Sequence, residues 1–450
     1  MVKLKRELTL WELTLTGIGI ILGAGIYVLI GEAAGLSGNM IWMSFIIAGV
    51  VAALTGLSYA ELASLFPKAG AEFVFTEKAF NKRLAFIIGW LLITACIVSA
   101  SAVALGFAGY FSAFFNTPII LTAIGALIVL SIIQILGIKT SARFAIICAI
   151  ITILGLLGVI VFGIPYFDSI NYFEMVPELG FAGVLSAASL VFFAYIGFDT
   201  MINMGEETKN PKVVVPEATI IAIVISTVLY ILVAISSVSV MGWEALSQSS
   251  APLADVAAES LGSNAFLILG FVALFATTST ILLILLAASR LTYGMAEGNG
   301  LPIVLAKLHP KWKTPWVAII ILLICSSIFV LIGKIGIVAN MTNIAILASF
   351  FIVNCSAIIL RYKLPGIHRN FKIPLSIGKF PIIPFFGALT CVLLIIQMEF
   401  EVILFGSSII IIGFLLSYIF VKDNIKPVVI QEKIHTRNHK KVYKKRKKKK

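Results

Sequence analysis

Two short stretches carry residues that could hold a ligand. The first is Thr16–Tyr27, with Gly17, Gly19, Gly23 and Gly25 inside a long apolar run. Glycine costs a helix about 1 kcal/mol relative to alanine, so this cluster marks a weak point. The second is Phe192-Phe-Ala-Tyr-Ile-Gly-Phe-Asp199, which holds a glycine and the only acidic residue deep in its run. A helix that unwinds near Ile21–Gly25 presents free N–H groups from Gly23, Ala24 and Gly25, where the partial positive charge of a helix start suits a carboxylate. The half-helix before it ends in carbonyls at Gly19, Ile20, Ile21 and Leu22, suited to an ammonium or a small cation. A break near Phe193–Gly197 adds further carbonyls. One α-carboxylate with one α-ammonium is a free amino acid. The bland alternative is close helix packing through Gly19-x-x-x-Gly23. The matching break in a second run favours the binding site.

Other polar residues carry weaker signals. Asp199 is costly at that depth, so it is either functional or a cap for freed backbone N–H groups. Thr278 and Ser279 are neighbouring hydroxyls midway along their run, open to ion ligation or to bonds back to their own helix. Glu61, Glu206, Glu207 and Glu217 read as gate or loop ion pairs. The five cysteines stand singly in apolar runs with no metal or disulfide spacing, and the four histidines fall in loops or the tail. No phosphate loop, metal cluster or nucleophile–base pair is present, so neither an enzyme nor a cofactor is expected.

The elements that position the two stretches follow from composition. The 450 residues are 60% hydrophobic and 12% charged, too little charge to cover a soluble fold. Twelve runs are long enough to span a bilayer: about 10–34, 39–65, 83–113, 118–137, 142–164, 181–205, 215–241, 265–294, 315–333, 336–361, 382–398 and 402–421. With the N-terminus in the cytoplasm, alternation puts 33 of the 34 basic residues inside and leaves only Lys334 outside. That satisfies the positive-inside rule with both termini cytoplasmic. The interrupted spans, 1 and 6, are five apart. An odd offset means the second half enters from the opposite side, an inverted five-plus-five repeat. The reading is an all-α membrane protein of twelve transmembrane helices, a single domain over 1–421. Repeat one covers about 8–164, repeat two about 180–361, and two extra helices 382–421. A disordered basic cytoplasmic tail follows at 422–450. Nine of the residues Lys440–Lys450 are Lys or Arg, which suits anionic lipid or topological anchoring rather than nucleic acid.

Four blocks resemble the amino acid–polyamine–organocation (APC) superfamily: Gly17–Tyr27; Tyr59-Ala-Glu-Leu-Ala-Ser-Leu-Phe-Pro-Lys-Ala-Gly70; Phe192–Asp199 followed by Gly205-Glu-Glu-Thr-Lys-Asn-Pro211; and Ser289-Arg-Leu-Thr-Tyr-Gly-Met295 leading to Gly300-Leu-Pro302. They stand in the family's order over residues 8–302, nearest to the cationic amino acid transporters and their prokaryotic relatives. The resemblance implies broken helices, alternating access and Phe193 as the outer thin gate. The chain departs from that branch twice. Ala95 stands where relatives carry a span 3 glutamate. Thr152 stands where several carry a span 5 lysine thought to replace a sodium ion.

The expected function is secondary active transport of an amino acid in the plasma membrane. The substrate site comprises Ile20, Ile21, Gly23, Ala24, Gly25, Ala95, Phe193, Ala194, Tyr195 and Ile196. Gly19, Leu22, Thr152, Asp199, Thr278 and Ser279 are the coupling-ion candidates. Asp199 is the only acid expected near the breaks, and no lysine or arginine lies near mid-span. A charged substrate side chain would therefore lack a partner, and neutral amino acids are expected. Coupling to protons or exchange is favoured over sodium. The rivals are a sodium symporter and a non-transporting sensor; no soluble signalling domain supports the latter.

Overall fold

The computed structural model describes residues 8–66, 71–136, 141–297 and 300–421. The basic tail lies outside the described residues. A helix lies in each of the twelve apolar runs. In chain order the helices are α1 (Leu10–Ile21), α2 (Ala24–Ser37), α3 (Ile41–Leu65), α4 (Ala71–Ala79), α5 (Lys82–Phe115), α6 (Ile119–Ile135), α7 (Ser141–Gly163), α8 (Gly180–Val191), α9 (Phe198–Asn203), α10 (Pro211–Gln248), α11 (Pro252–Leu261), α12 (Ser263–Glu297), α13 (Trp316–Val330), α14 (Ile335–Lys363), α15 (Ile382–Ile396) and α16 (Phe400–Phe420). Among the described residues, seven helical stretches are long and apolar enough to cross a membrane, and five shorter apolar helices accompany them. A two-stranded hairpin, Ser376–Ile377 with Phe380–Pro381, follows α14.

Helix ends are set locally. The Glu12 carboxylate accepts from the N–H and the hydroxyl of Thr9, closing the start of α1. The Asn81 side chain accepts from Leu84 N–H at 2.9 Å and starts α5. Pro211 opens α10 at a position where its missing N–H costs nothing. Two helices lie in segments read from sequence as loops. One is α4, between spans 2 and 3. The other is α11, whose apolar side Leu253, Ala254, Val256 and Ala257 is buried.

The helices sort into two groups. α10 packs along α3, α1 and α2, and α8 lies between α2 and α3. The long α5 is instead the axis for α6, α12, α13 and α14. The outer faces are apolar. Leu121 and Val129 on α6, Leu154 and Val161 on α7, Ile328 on α13, and Leu415 and Ile419 on α16 are all exposed. Many polar side chains turn inward, and several of them pair. Ser58 donates to Asn354 Oδ1 at 2.6 Å, and Asn354 donates to Thr55 Oγ1 at 3.0 Å. Apolar outside with hydrogen-bonded polar groups inside suits lipid as the surrounding solvent.

Candidate functional site

The first run breaks between α1 and α2 at two residues, Leu22 and Gly23. Gly23 has φ −65 and ψ −144, outside the helical region but without positive φ. Neighbouring helices hold the exposed backbone groups. The Ala24 N–H donates to Thr280 Oγ1 of α12 at 3.1 Å, and that hydroxyl donates to the Ala276 carbonyl. The Ile21 carbonyl accepts from the Tyr230 hydroxyl of α10 at 2.6 Å.

The second break is longer. A 3-10 turn over Phe192–Tyr195 leads to an extended Ile196, and Gly197 takes φ 126 before α9 begins. Only glycine adopts that φ without strain. Unwinding frees carbonyls at the end of α8, and the Asn343 amide of α14 donates to two of them, Ser189 at 2.7 Å and Leu190 at 3.1 Å. Asp199 Oδ1 accepts the Gly197 N–H at 3.0 Å. The capping role left open by the sequence is thus realised.

The two breaks touch through their glycines. A Cβ on Gly25 would lie 2.6 Å from Ala194 Cα, and one on Gly197 would lie 2.6 Å from Ile20 Cγ2. The Tyr230 hydroxyl, 2.6 Å from the Ile21 carbonyl, is also 2.8 Å from the Ala194 carbonyl. One hydroxyl proton therefore serves two carbonyls, one from each break. Phe193 and Ala194 are buried at this meeting point, while Gly19, Ile20, Gly23 and Ile196 are half-buried; Ala95 is buried in α5. Tyr195 turns away: its hydroxyl donates to the Phe45 carbonyl of α3 at 2.8 Å.

The ion candidates distribute unevenly. Thr152 donates to Cys148 O within its own helix, and its carbonyl accepts the Tyr27 hydroxyl. No ammonium stands at that position. Ser279 bonds back to the Ala276 carbonyl. The hydroxyl that reaches the break is that of Thr280, two residues beyond Thr278. Gly19 and Leu22 lie on the α1 side of the break. Sequence reading missed Thr280, Tyr230 and Asn343.

One acidic group carries a correction, and another takes the pairing expected of it. Asp199 is not the only acid near the breaks: Glu72 of α4 is 3% exposed, and the Asp199 carboxylate bears on it. Burial first, then Asp199, pushes Glu72 up to about 8. Glu61 forms the ion pair expected of it, and its partners are Arg361 (Nε at 2.9 Å and Nη2 at 2.5 Å) and Arg369 (3.0 Å). The Ile373 N–H adds a fourth contact to Glu61 at 2.9 Å. This network ties the end of α3 to the end of α14 and the segment after it. The side chains of Glu206 and Glu207 lie outside the described residues.

The chain is similar to a known family and to several known proteins. The pattern of the family described as "Amino acid permease" matches residues 8–423. The chain is 34% identical to the branched-chain amino acid permease BcaP of Bacillus subtilis, over 94% of each chain. It is 33% identical to the methylthioribose transporter of the same organism, over 86% of this chain and 87% of the relative. Cationic amino acid transporter 1 of Arabidopsis thaliana is 31% identical over 81% of this chain and 64% of its own length.

Proposed function

The chain belongs to the amino acid permease family of the APC superfamily, and from that premise we propose that it moves neutral amino acids across the plasma membrane by alternating access. It is an integral membrane transporter and not an enzyme. The observation that carries the reading is the shared hydroxyl of Tyr230, between the Ile21 carbonyl of one break and the Ala194 carbonyl of the other. With one proton for two carbonyls, acceptor capacity is left for a substrate ammonium. The start of α2 supplies the complementary end. Its Ala24 N–H is taken by a neutral hydroxyl, Thr280, which a carboxylate replaces with a stronger, charge-assisted bond. Ala95, Phe193, Ala194 and Ile196 would wall the side-chain space, and Phe193 would gate it from outside.

Substrate class follows from charge. Among the described residues no lysine or arginine stands within either break, and the glutamate of the cationic branch is Ala95 here. The similarity to a branched-chain permease supports the same class. The twelve helical runs are read as twelve crossings, with an inverted repeat relating spans 1–5 to 6–10 and both termini in the cytoplasm. The group built on α3 and α10, which carries both breaks, rocks against the group built on α5. Coupling is assigned to protons or to exchange: Thr152 supplies no fixed ammonium, whereas Asp199 and Glu72 supply carboxyls. Anionic lipid is the partner assigned to the basic tail.

Uptake by purified protein in proteoliposomes tests this reading. Alanine, leucine and phenylalanine are expected to compete better than arginine or lysine, and an imposed proton gradient is expected to drive accumulation without sodium. Strong arginine uptake that neutral amino acids leave untouched would overturn the substrate class. Accumulation that required sodium and ignored a proton gradient would overturn the coupling.

A further inference from the structure

We propose that the loop between α12 and α13 holds the headgroup of an anionic phospholipid. Lys307 and the His309 Nε2–H meet its phosphate, and its acyl chains lie along α6 and α13. Only the bilayer setting of the chain is required, not the substrate or coupling reading above. An open cavity of about 420 Å³ lies in this loop, lined by Lys307, Leu308, His309, Pro310 and Trp316. A lysine and an imidazole stand beside leucine, proline and tryptophan. A phospholipid makes the same division where its headgroup meets its chains.

The loop is held in shape by its own bonds. The His309 N–H donates to the Thr314 carbonyl at 2.7 Å, and the Lys313 N–H donates to the His309 carbonyl at 2.9 Å. The Thr314 hydroxyl donates to the Ile135 carbonyl at the end of α6, at 2.8 Å. The His309 ring is fixed as well. It stacks on Trp312 with centroids 4.2 Å apart. Its Nδ1 accepts the N–H groups of Lys311 and Trp312 at 3.2 and 3.3 Å. An accepting Nδ1 leaves the proton on Nε2, as a donor for a phosphate oxygen.

The occupant follows from two features. The first is continuity with the lipid-facing surface. Trp316, Ile320, Ile324 and Ile328 recur at every fourth residue of α13 and are all exposed, so they form one stripe down the helix. α6 packs beside α13 and turns Leu136, Ile132 and Val129 outward from the same end. The cavity stands at the head of this apolar track. The second feature is charge. No acidic residue occurs between Glu297 and Glu399, while Lys307, Lys311 and Lys313 all fall in this loop. None of the three makes an ion pair among the described residues. A zwitterionic headgroup would bring a cation with no carboxylate to meet it, whereas a net negative one finds only cations. In the topology proposed above, this end of α13 faces the inner leaflet.

Native mass spectrometry of the purified, delipidated full chain reads the site without transport. Wild type is expected to take up a first phosphatidylglycerol more tightly than a first phosphatidylcholine. Lys307→Gln is expected to weaken that first binding about fivefold, the worth of one basic residue near an anionic headgroup. The same loss of charge in the tail, Lys447→Gln, is expected to leave it unchanged. Leu308→Asp puts an anion into the cavity wall and is expected to abolish it. Lys307 and Leu308 are both exposed, so either variant carries the test should the other fail to fold. Equal affinity of wild type for the two lipids overturns the proposal, as does an equal effect of Lys307→Gln and Lys447→Gln. Displacement of the first lipid by inorganic phosphate alone would assign the cavity to the free ion and overturn it too. Each of these failures leaves the substrate and coupling readings untouched, because no transport is measured.

Discussion

The two breaks do similar work by different means. The first is two residues long, contains no positive φ, and is held from outside: Thr280 of α12 caps the Ala24 N–H and Tyr230 of α10 caps the Ile21 carbonyl. The second is largely self-contained. It has its own 3-10 turn, a glycine at φ 126, and Asp199 in its own helix as cap. Its outside supports are the Tyr230 hydroxyl on the Ala194 carbonyl, shared with the first break, and Asn343, which grips the end of α8. The difference assigns roles. A break held by neighbours can exchange those contacts for a ligand's. A break held by itself can serve as a fixed wall.

The largest effect is expected where the two meet. Gly25→Leu places a side chain against Ala194, whose Cα would lie 2.6 Å from the new Cβ. That forces the breaks apart, and binding of leucine to the folded variant is expected to be abolished. Normal affinity in equilibrium binding would mean that the breaks are not the site. Next is Gly197→Ala. A non-glycine residue at φ 126 costs about 1–3 kcal/mol, and its Cβ would also press on Ile20. Thermal melting is expected to fall with or without substrate, as suits a fixed wall. A variant as stable as wild type would show that the second break tolerates rearrangement.

Smaller changes separate the roles further. Tyr230→Phe removes the donor shared by both carbonyls, and an unsatisfied buried acceptor costs about 1–3 kcal/mol. The substrate-free protein is expected to melt lower, and substrate affinity to rise, because the ammonium then meets two carbonyls with no competing donor; an unchanged dissociation constant would remove Tyr230 from the site. The smallest expected effect belongs to Thr280→Val. Loss of a helix cap costs about 1 kcal/mol, so the substrate-free protein should melt lower. Because a carboxylate would then meet a bare Ala24 N–H, the rise in melting temperature on adding leucine should exceed that of wild type. An equal rise would show that Thr280 does not stand where the carboxylate goes.

How much of this was legible in the sequence depends on the residue. The breaks were visible because glycine clusters and an acid are costly inside apolar runs, and the structure unwinds at Leu22–Gly23 and Ile196–Gly197 within the expected stretches. Tyr230 was not visible, since a tyrosine in an apolar helix looks like core until its hydroxyl finds a carbonyl. Thr280 stands in a run of four hydroxyls, Thr277 to Thr280, where only the rotation of α12 decides which one faces the break. Asn343 looked like an ordinary polar residue in a span. Glu72 was hidden by topology. It sits in a segment assigned to the cytoplasm, and only the packing of α4 against α5 and α14 buries its carboxyl.

The most direct test of the central claim is a cryo-electron microscopy map of the protein with leucine bound. The account expects density for the amino acid between the two breaks. Its carboxylate should lie at the Ala24 and Gly25 N–H groups, its ammonium beside the Ile21 and Ala194 carbonyls, and Thr280 Oγ1 should have left Ala24. Leucine density elsewhere, with Thr280 still bonded to Ala24 and both breaks unchanged, would contradict it.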